Sequence, residues 1–313
     1  MTCVSDTILV TGGTGLIGRN LVRRLEGLGR KVVATGSERD LRDAAVARDL
    51  LAEVRPSTVI HLAARVGGIY ANSTQKPDFY RDNVLINTHV VDAAVEAGVE
   101  YVFAMGTGCA YPKRLEEELL NEDDYLDGVP EQTNDAYAYA KRGMLVHLEA
   151  LREHGVLEYC YCLPANIYGP HDNFHPEHSH VVAALVRRFV DARDEGRPSV
   201  SIWGDGSAQR DFLYIEDCID AITTLLDRRF SGPVNVATGQ LTTIGELAEG
   251  LGRVSGYQGE ITYDTSMPTG QMGRRFDTGR IRSTGWKPAH TLDEGLAKTV
   301  AWFETHRSEI RER

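Results

Sequence analysis

Ile8-Leu9-Val10-Thr11-Gly12-Gly13-Thr14-Gly15-Leu16-Ile17-Gly18 is the stretch whose reading decides the fold. Three apolar residues make a short strand, the glycines make a turn, and Asn20-Leu21-Val22-Arg23-Arg24-Leu25 continues with helical periodicity. Strand, glycine-rich turn and helix in that order present main-chain N–H groups to a pyrophosphate. Gly12, Gly15 and Gly18 are spaced three and three, which departs from the usual GxGxxG dinucleotide fingerprint. An ordinary turn can share this local pattern, but the flanking strand and helix favour a dinucleotide held by Gly12, Gly15, Leu16, Ile17 and Gly18.

Working outward, Lys31-Val32-Val33-Ala34 is a second strand, ending in Thr35-Gly36-Ser37. Sites for NAD usually place a carboxylate at that point for the ribose hydroxyls. None stands nearer than Glu38, and Arg39 follows it. NADP(H) is therefore the expected cofactor, with Arg39 reaching its 2′-phosphate and NAD(H) still admitted. Asp40-Leu41 reads as a turn over the adenine. Residues 58–64 form a buried-strand pattern whose small residues Ala63 and Ala64 let backbone approach a cofactor. A helical run over 83–97 precedes the strand Tyr101-Val102-Phe103-Ala104-Met105, which delivers Thr107, Gly108 and Cys109. This alternation predicts an α/β fold, a doubly wound parallel-sheet Rossmann domain. Ligands bind such sheets at the carboxyl ends of the strands, where the glycine turn and Thr107 both fall.

Tyr137-Ala138-Tyr139-Ala140-Lys141 puts a phenol and an ammonium four residues apart in a helix-favouring run, so both lie on one face. A phenol with a pKa near 10 is a proton donor at neutral pH, and a nearby cation increases its acidity. That suits reduction of a carbonyl. Such pairs also occur as plain surface pairs, so the reading depends on the rest of the chain.

Residues 159–164 read as another strand, with Cys160 and Cys162 packing on one face. Residues 166–180 hold His171, His175, His178 and His180, but no HExxH spacing, and Pro170 and Pro176 interrupt them, so no metal is expected. A helix is expected over 181–192, a turn-rich stretch over 201–206, a strand over 233–237 and a capped helix from Thr243. A further strand, the pair Arg274-Arg275 and a last helix through Trp302 complete the chain. With no repeat or linker, a smaller α/β substrate lobe should interleave with the Rossmann domain. Residues 1–165, also receiving roughly 210–240, would bind the cofactor, and 166–313 would form most of the lobe.

The 313 residues are 42% hydrophobic and 25% charged, as in an ordinary globular protein, and the net charge of -11 argues against nucleic acid as a partner. Five cysteines, an odd number without CxxC spacing, read as reduced thiols. No leader pattern and no apolar run of membrane-spanning length is present, so a cytoplasmic protein without a membrane partner is expected.

Thr11-Gly12-x-x-Gly15-x-x-Gly18, Asp40-Leu41, Thr107, Tyr137-x-x-x-Lys141 and Pro233-Val234-Asn235-Val236 together resemble the extended short-chain dehydrogenase/reductase superfamily of nucleotide-sugar enzymes. Within it, the stretch from His61 to Ile69, Cys109-Ala110-Tyr111-Pro112, and the stretch from Tyr168 to His180 look like the GDP-L-fucose synthase family. The resemblance runs nearly end to end. It implies a Rossmann domain with a sugar-nucleotide lobe, NADPH, a GDP-linked 4-keto sugar, and commonly a homodimer. It further implies that Thr107 stands at the catalytic serine position, that Tyr137 is the acid and Lys141 its tuner, and that Cys109 and His180 are an epimerisation pair. For the nucleotide sugar it implies Asn166, Arg188, Trp203, Arg210 and Arg274. Two departures stand out: the family's paired serines become Thr107-Gly108, and Thr14 replaces an arginine common in the phosphate loop.

The chemistry so implied is 3,5-epimerisation followed by NADPH-dependent 4-reduction. A thiol near 8.5 and an imidazole near 6.5 bracket neutrality, as removal and return of a proton on opposite faces requires. The nearest alternative is a single-activity 4-reductase or epimerase acting on another nucleotide-linked deoxyhexose or heptose. A catalytically silent cofactor-binding protein is a further alternative, against which the intact Thr107, Tyr137 and Lys141 argue.

Overall fold

The computed structural model describes residues 6–113, 119–175, 179–267, 273 and 275–310. Strand β1 (Thr7–Thr11) has neighbours on both sides, and its apolar run is buried on both faces, as strands under helices are. Helix α1 (Leu16–Gly27) turns Leu21 and Leu25 to the sheet. Strand β2 (Lys31–Thr35) is the sheet's edge, and helix α2 (Ala44–Val54) is N-capped by the Asp43 carboxylate. Strand β3 (Thr58–His61) leads through a loop and a short helical segment (Ile69–Thr74) to helix α3 (Lys76–Glu96), which starts seven residues earlier than its periodicity suggests. Pro77 explains the difference: it reads as a breaker, yet the first turn of a helix tolerates it because no N–H is needed there.

Strand β4 (Tyr101–Met105), helix α4 (Asp135–Glu153) and strand β5 (Glu158–Pro164) complete the sheet's middle, and α3 packs along α4. Helix α5 (Val181–Asp194) follows and packs on the later helices Ile244–Ser255 and Leu292–His306. Strand β6 (Ser199–Trp203) occupies what reads as a turn-rich stretch. Its alternation puts Val200 and Ile202 inside, and it pairs in parallel with β8 (Glu260–Asp264). Helix α6 (Ile215–Asp227) returns to the large sheet, where strand β7 (Gly232–Val236) pairs with β5. Helix α7 (Ile244–Ser255) begins with a capping box between Thr243 and Glu246, and α8 (Leu292–His306) with one between Thr291 and Glu294.

The large sheet is wholly parallel, in the order β7-β5-β4-β3-β1-β2. It is the doubly wound sheet the alternation predicts, and the direction of strand succession reverses between β1 and β3. That reversal opens a crevice beyond their carboxyl ends. Cys160 and Cys162 are fully buried in β5, where desolvation pushes both thiols above their ordinary pKa. Among the described residues, no helix is long and apolar enough to cross a membrane.

Candidate active site

The glycine-rich turn fits a dinucleotide for reasons of space. Gly12 has φ +71, and a Cβ on it would lie 2.7 Å from the Ala63 nitrogen beyond β3. A Cβ on Gly18 would lie 2.2 Å from the Gly12 carbonyl oxygen. Gly15 is different: its nearest obstacle would be 3.4 Å away, so packing does not demand glycine there, while close approach of a phosphate would. Gly15 also N-caps α1 without a side-chain bond, so Leu16 and Ile17 present their amides at a bare helix start. These residues fit a dinucleotide pyrophosphate.

A buried hydrogen-bond chain ties this turn to the helix of the phenol. Thr11 Oγ1 accepts from the Ala63 N–H at 3.3 Å and bonds His61 Nδ1 at 2.8 Å. His61 Nε2 meets Asn87 Oδ1 at 3.1 Å, and Asn87 Nδ2 donates to the Ala140 carbonyl at 3.3 Å. Because that amide nitrogen is the donor, Oδ1 is an acceptor, Nε2 carries the imidazole proton and the Thr11 hydroxyl donates to Nδ1. Burial, and then the Lys141 ammonium, hold the His61 pKa at about 3, so the ring is neutral.

Thr107 leaves β4 in extended conformation and caps a single 3-10 turn, Gly108–Ala110, by accepting from the Cys109 N–H at 3.2 Å. Its own hydroxyl proton stays available to another acceptor. Cys109 is exposed on this turn. A Cβ on Gly108 would meet the Phe276 ring at 2.6 Å, so a serine after Thr107 would crowd that ring. The turn's far end is pinned by Arg142, whose Nε donates to the Ala110 carbonyl at 2.8 Å and whose Nη1 donates to Gly128 at 2.7 Å. Below it, the Tyr111 hydroxyl donates to Asn235 Oδ1 at 2.7 Å.

Tyr137 lies in the first turn of α4, and the Lys141 Nζ sits 5.8 Å from its ring centroid, so the four-residue spacing does bring the pair onto one face. The same Nζ donates to the Met105 carbonyl at 2.8 Å. Desolvation lowers Lys141 to about 7. It also raises the Tyr137 phenol well above its ordinary value, with smaller contributions from Cys109 and Tyr125. The expected acidification by the lysine does not act against this rise, and the phenol stands as a protonated donor. The turn that carries Cys109 packs against this helix.

His180 N-caps α5 without a side-chain bond and is exposed, and desolvation lowers its pKa, which favours the neutral imidazole. The preceding Ser179 carbonyl lies 4.0 Å from where a Cβ on Gly68 would sit, so this segment flanks the loop beyond β3. In the same segment, Asp172 Oδ2 is buried without a protein partner, and desolvation raises that carboxyl to about 7.

Arg188 Nη1 donates to the Ser201 carbonyl at 2.7 Å, two residues from the exposed Trp203. Arg210 donates to Gln209, and Asn166 Nδ2 to the Asp211 carbonyl at 3.0 Å. Arg274 lies outside the described residues. Near the expected adenine end, Leu41 is buried, Asp40 is held at about 2 by Arg42, and Arg39 bridges to Glu53 at 2.9 Å. Ala63 and Ala64 are partly buried behind the glycine turn. Among the described residues, no three metal-binding side chains converge. Arg142 and Asn87 escape a reading by motif, because neither contacts the cleft. Their only signal is a polar residue on a helix face that must be buried against β4 and the turn after it.

Comparison with known proteins agrees with this geometry. The model of the NAD dependent epimerase/dehydratase family matches residues 8–237. GDP-L-fucose synthase 1 of Arabidopsis thaliana is 40% identical over 304 residues, covering 96% of this chain and 93% of that protein. The GDP-L-fucose synthase of Escherichia coli (strain K12) is 34% identical over 316 residues, covering 97% and 98%. The crystal structure of a GDP-L-fucose synthetase from Naegleria fowleri bound to NADP superposes with a TM-score of 0.88 at 27% identity, covering 100% of this chain and 98% of that one. Matches of this extent show that the chain belongs to the GDP-L-fucose synthase family of NAD-dependent epimerases/dehydratases.

Proposed function

We propose that this chain catalyses 3,5-epimerisation and then NADPH-dependent 4-reduction of a GDP-linked 4-keto-6-deoxyhexose. The observation that supports the reading most is that Thr107 and Cys109 share one turn, packed against the helix of the protonated Tyr137. A ketone at C4 acidifies the hydrogens on C3 and C5, because the carbanion delocalises onto O4. The Thr107 hydroxyl and the Tyr137 phenol donate to that oxygen as charge develops. Cys109 and the neutral His180 remove and return protons on opposite faces. Bound NADPH supplies the hydride for C4. Tyr137 then gives its proton to O4, and Lys141 holds the phenol and the nicotinamide ribose.

In this reading residues 1–165, with roughly 210–240, hold the cofactor through the glycine turn, Asp40-Leu41, Ala63 and Ala64. Residues 166–313 hold the nucleotide sugar through Asn166, Arg188, Trp203 and Arg210. A homodimer is part of the proposal, supported by exposed Tyr80, Tyr139 and Val146 on the packed helices α3 and α4. So is a cytoplasmic setting, supported by free cysteines at 109, 160, 162 and 218.

The test is incubation with NADPH and GDP-4-keto-6-deoxy-D-mannose, with NMR of the product. Inversion at C3 and C5 with reduction at C4 is expected. A product reduced but not inverted would favour a single-activity 4-reductase, a reading to which the missing second hydroxyl at Gly108 lends some weight.

A further inference from the structure

In doubly wound folds the end of the second strand is where the adenosine ribose lies and where NAD is told from NADP. Read along the sequence, that position is open, because Glu38 stands three residues beyond Thr35. The chain folds it back. Glu38 Oε1 accepts from the Gly36 N–H at 2.6 Å and from Thr35 Oγ1 at 2.7 Å, closing a tight turn at the end of β2. Its second oxygen, Oε2, lies 2.8 Å from where a Cβ on Gly36 would sit, and the Thr14 Oγ1 and Cγ2 atoms lie 2.6 Å from the same point. The carboxylate therefore stands against the glycine-rich turn itself. Its bonds from Gly36 and Thr35 lower its pKa, so it is charged at neutral pH.

The cations nearby are already engaged. Arg39 bridges to Glu53 at 2.9 Å, Arg42 pairs with Asp40 at 2.7 Å, and Arg19 gives its Nε to the Thr14 carbonyl at 2.8 Å. A 2′-phosphate arriving here meets an anion first, and a ribose 2′-hydroxyl meets an acceptor.

We propose that Glu38 is the specificity-determining residue of the adenosine site: its Oε2 accepts from the ribose 2′-hydroxyl, so NAD(H) is bound alongside NADP(H). Binding of the 2′-phosphate then draws Arg39 away from Glu53 to offset the carboxylate. The inference rests on the dinucleotide reading of the glycine-rich turn.

The test is calorimetric titration of NAD+ and NADP+, and of the fragments 5′-AMP and 2′,5′-ADP, into the parent, Glu38→Gln and Arg39→Ala. Glutamine keeps an acceptor for the Gly36 N–H, so the turn survives while the charge is lost. In the parent the two dinucleotides should bind within about tenfold of each other. Hydrogen bonds to charged groups are worth about 1.5–3 kcal/mol, so Glu38→Gln should move the affinity ratio at least about tenfold toward NADP+. Arg39→Ala should move it the other way, and the fragments should follow the same pattern. An unchanged ratio in Glu38→Gln would overturn the inference while leaving the dinucleotide reading intact. Failure of both dinucleotides to bind the parent would overturn that reading, and this inference with it.

Discussion

Lys141 donates from Nζ to the carbonyl oxygen of Met105 at 2.8 Å, so the ammonium of the helix is fastened to the last residue of the strand that delivers Thr107. Desolvation lowers this lysine to about 7, against an ordinary value of about 10.4 in the unfolded chain. The unfolded state therefore binds more protons between those values, and this group's contribution to stability rises with pH across that window. Each pKa unit is worth about 1.4 kcal/mol. In the ligand-free protein, Lys141→Met should be at least as stable as the parent at pH 6, and the difference should move in the parent's favour as pH approaches 10. Denaturant unfolding at a series of pH values measures this. A gap that stays constant would mean that the lysine does not titrate in that window.

Tyr137→Phe removes one hydroxyl from a helix position and leaves the packing in place. Reduction at C4 should fall by about 10²–10⁴-fold, the usual contribution of a positioned acid. NADP+ affinity should hold. A variant reducing its keto sugar within a few-fold of the parent would show that another group is the donor.

Cys109 and Arg142 should act on the same step. Cys109→Ser exchanges a thiol for a hydroxyl, which is intrinsically a far weaker acid and a far poorer proton acceptor once ionisation is needed, so deuterium exchange at C3 and C5 without NADPH should slow by orders of magnitude. His180→Asn should block inversion and leave exchange at one carbon. Arg142→Met keeps the bulk but frees the Ala110 end of the turn, so exchange should fall about tenfold more than reduction of an already inverted ketone. Exchange at the parental rate in Cys109→Ser would remove the epimerase half of the proposed reaction.

Gly108→Ser would place a Cβ 2.6 Å from the Phe276 ring. Overpacking of this kind costs about 1–3 kcal/mol. Thermal unfolding should show that loss in Gly108→Ser and its partial recovery in Gly108→Ser with Phe276→Ala. Parental stability in the single variant would mean that Phe276 yields freely.

The large sheet was legible because its signals are local: apolar runs over β1, β3, β4 and β5, separated by glycines and helical periodicity. Tyr137 and Lys141 were legible for the same reason, since four residues on a helix is a fixed distance. What sequence could not carry was the effect of burial on those two groups. Whether a lysine acidifies a phenol or merely shares its dry pocket depends on solvent access, which spacing does not encode. Glu38 shows a related limit. Three residues past the strand looks too far for a carboxylate, until Gly36 lets the chain turn sharply enough for its N–H and the Thr35 hydroxyl to draw it back. Strand β6 went unread because Gly204 and Gly206, just beyond it, dominate the local composition. Arg142 went unread because its partners are main-chain carbonyls at residues 110 and 128, which have no sequence signature.

The neutral ring of His61 is grasped at both nitrogens, by the end of β1 and, through Asn87, by the backbone beside Lys141. Neither the glycine turn nor the phenol's helix can slide against the other without stranding a buried polar atom, at about 1–3 kcal/mol. The glycine turn and the helix of Tyr137 are thus surveyed from one benchmark. Their mutual alignment is settled once, when the chain folds, and need not be found again at each turnover.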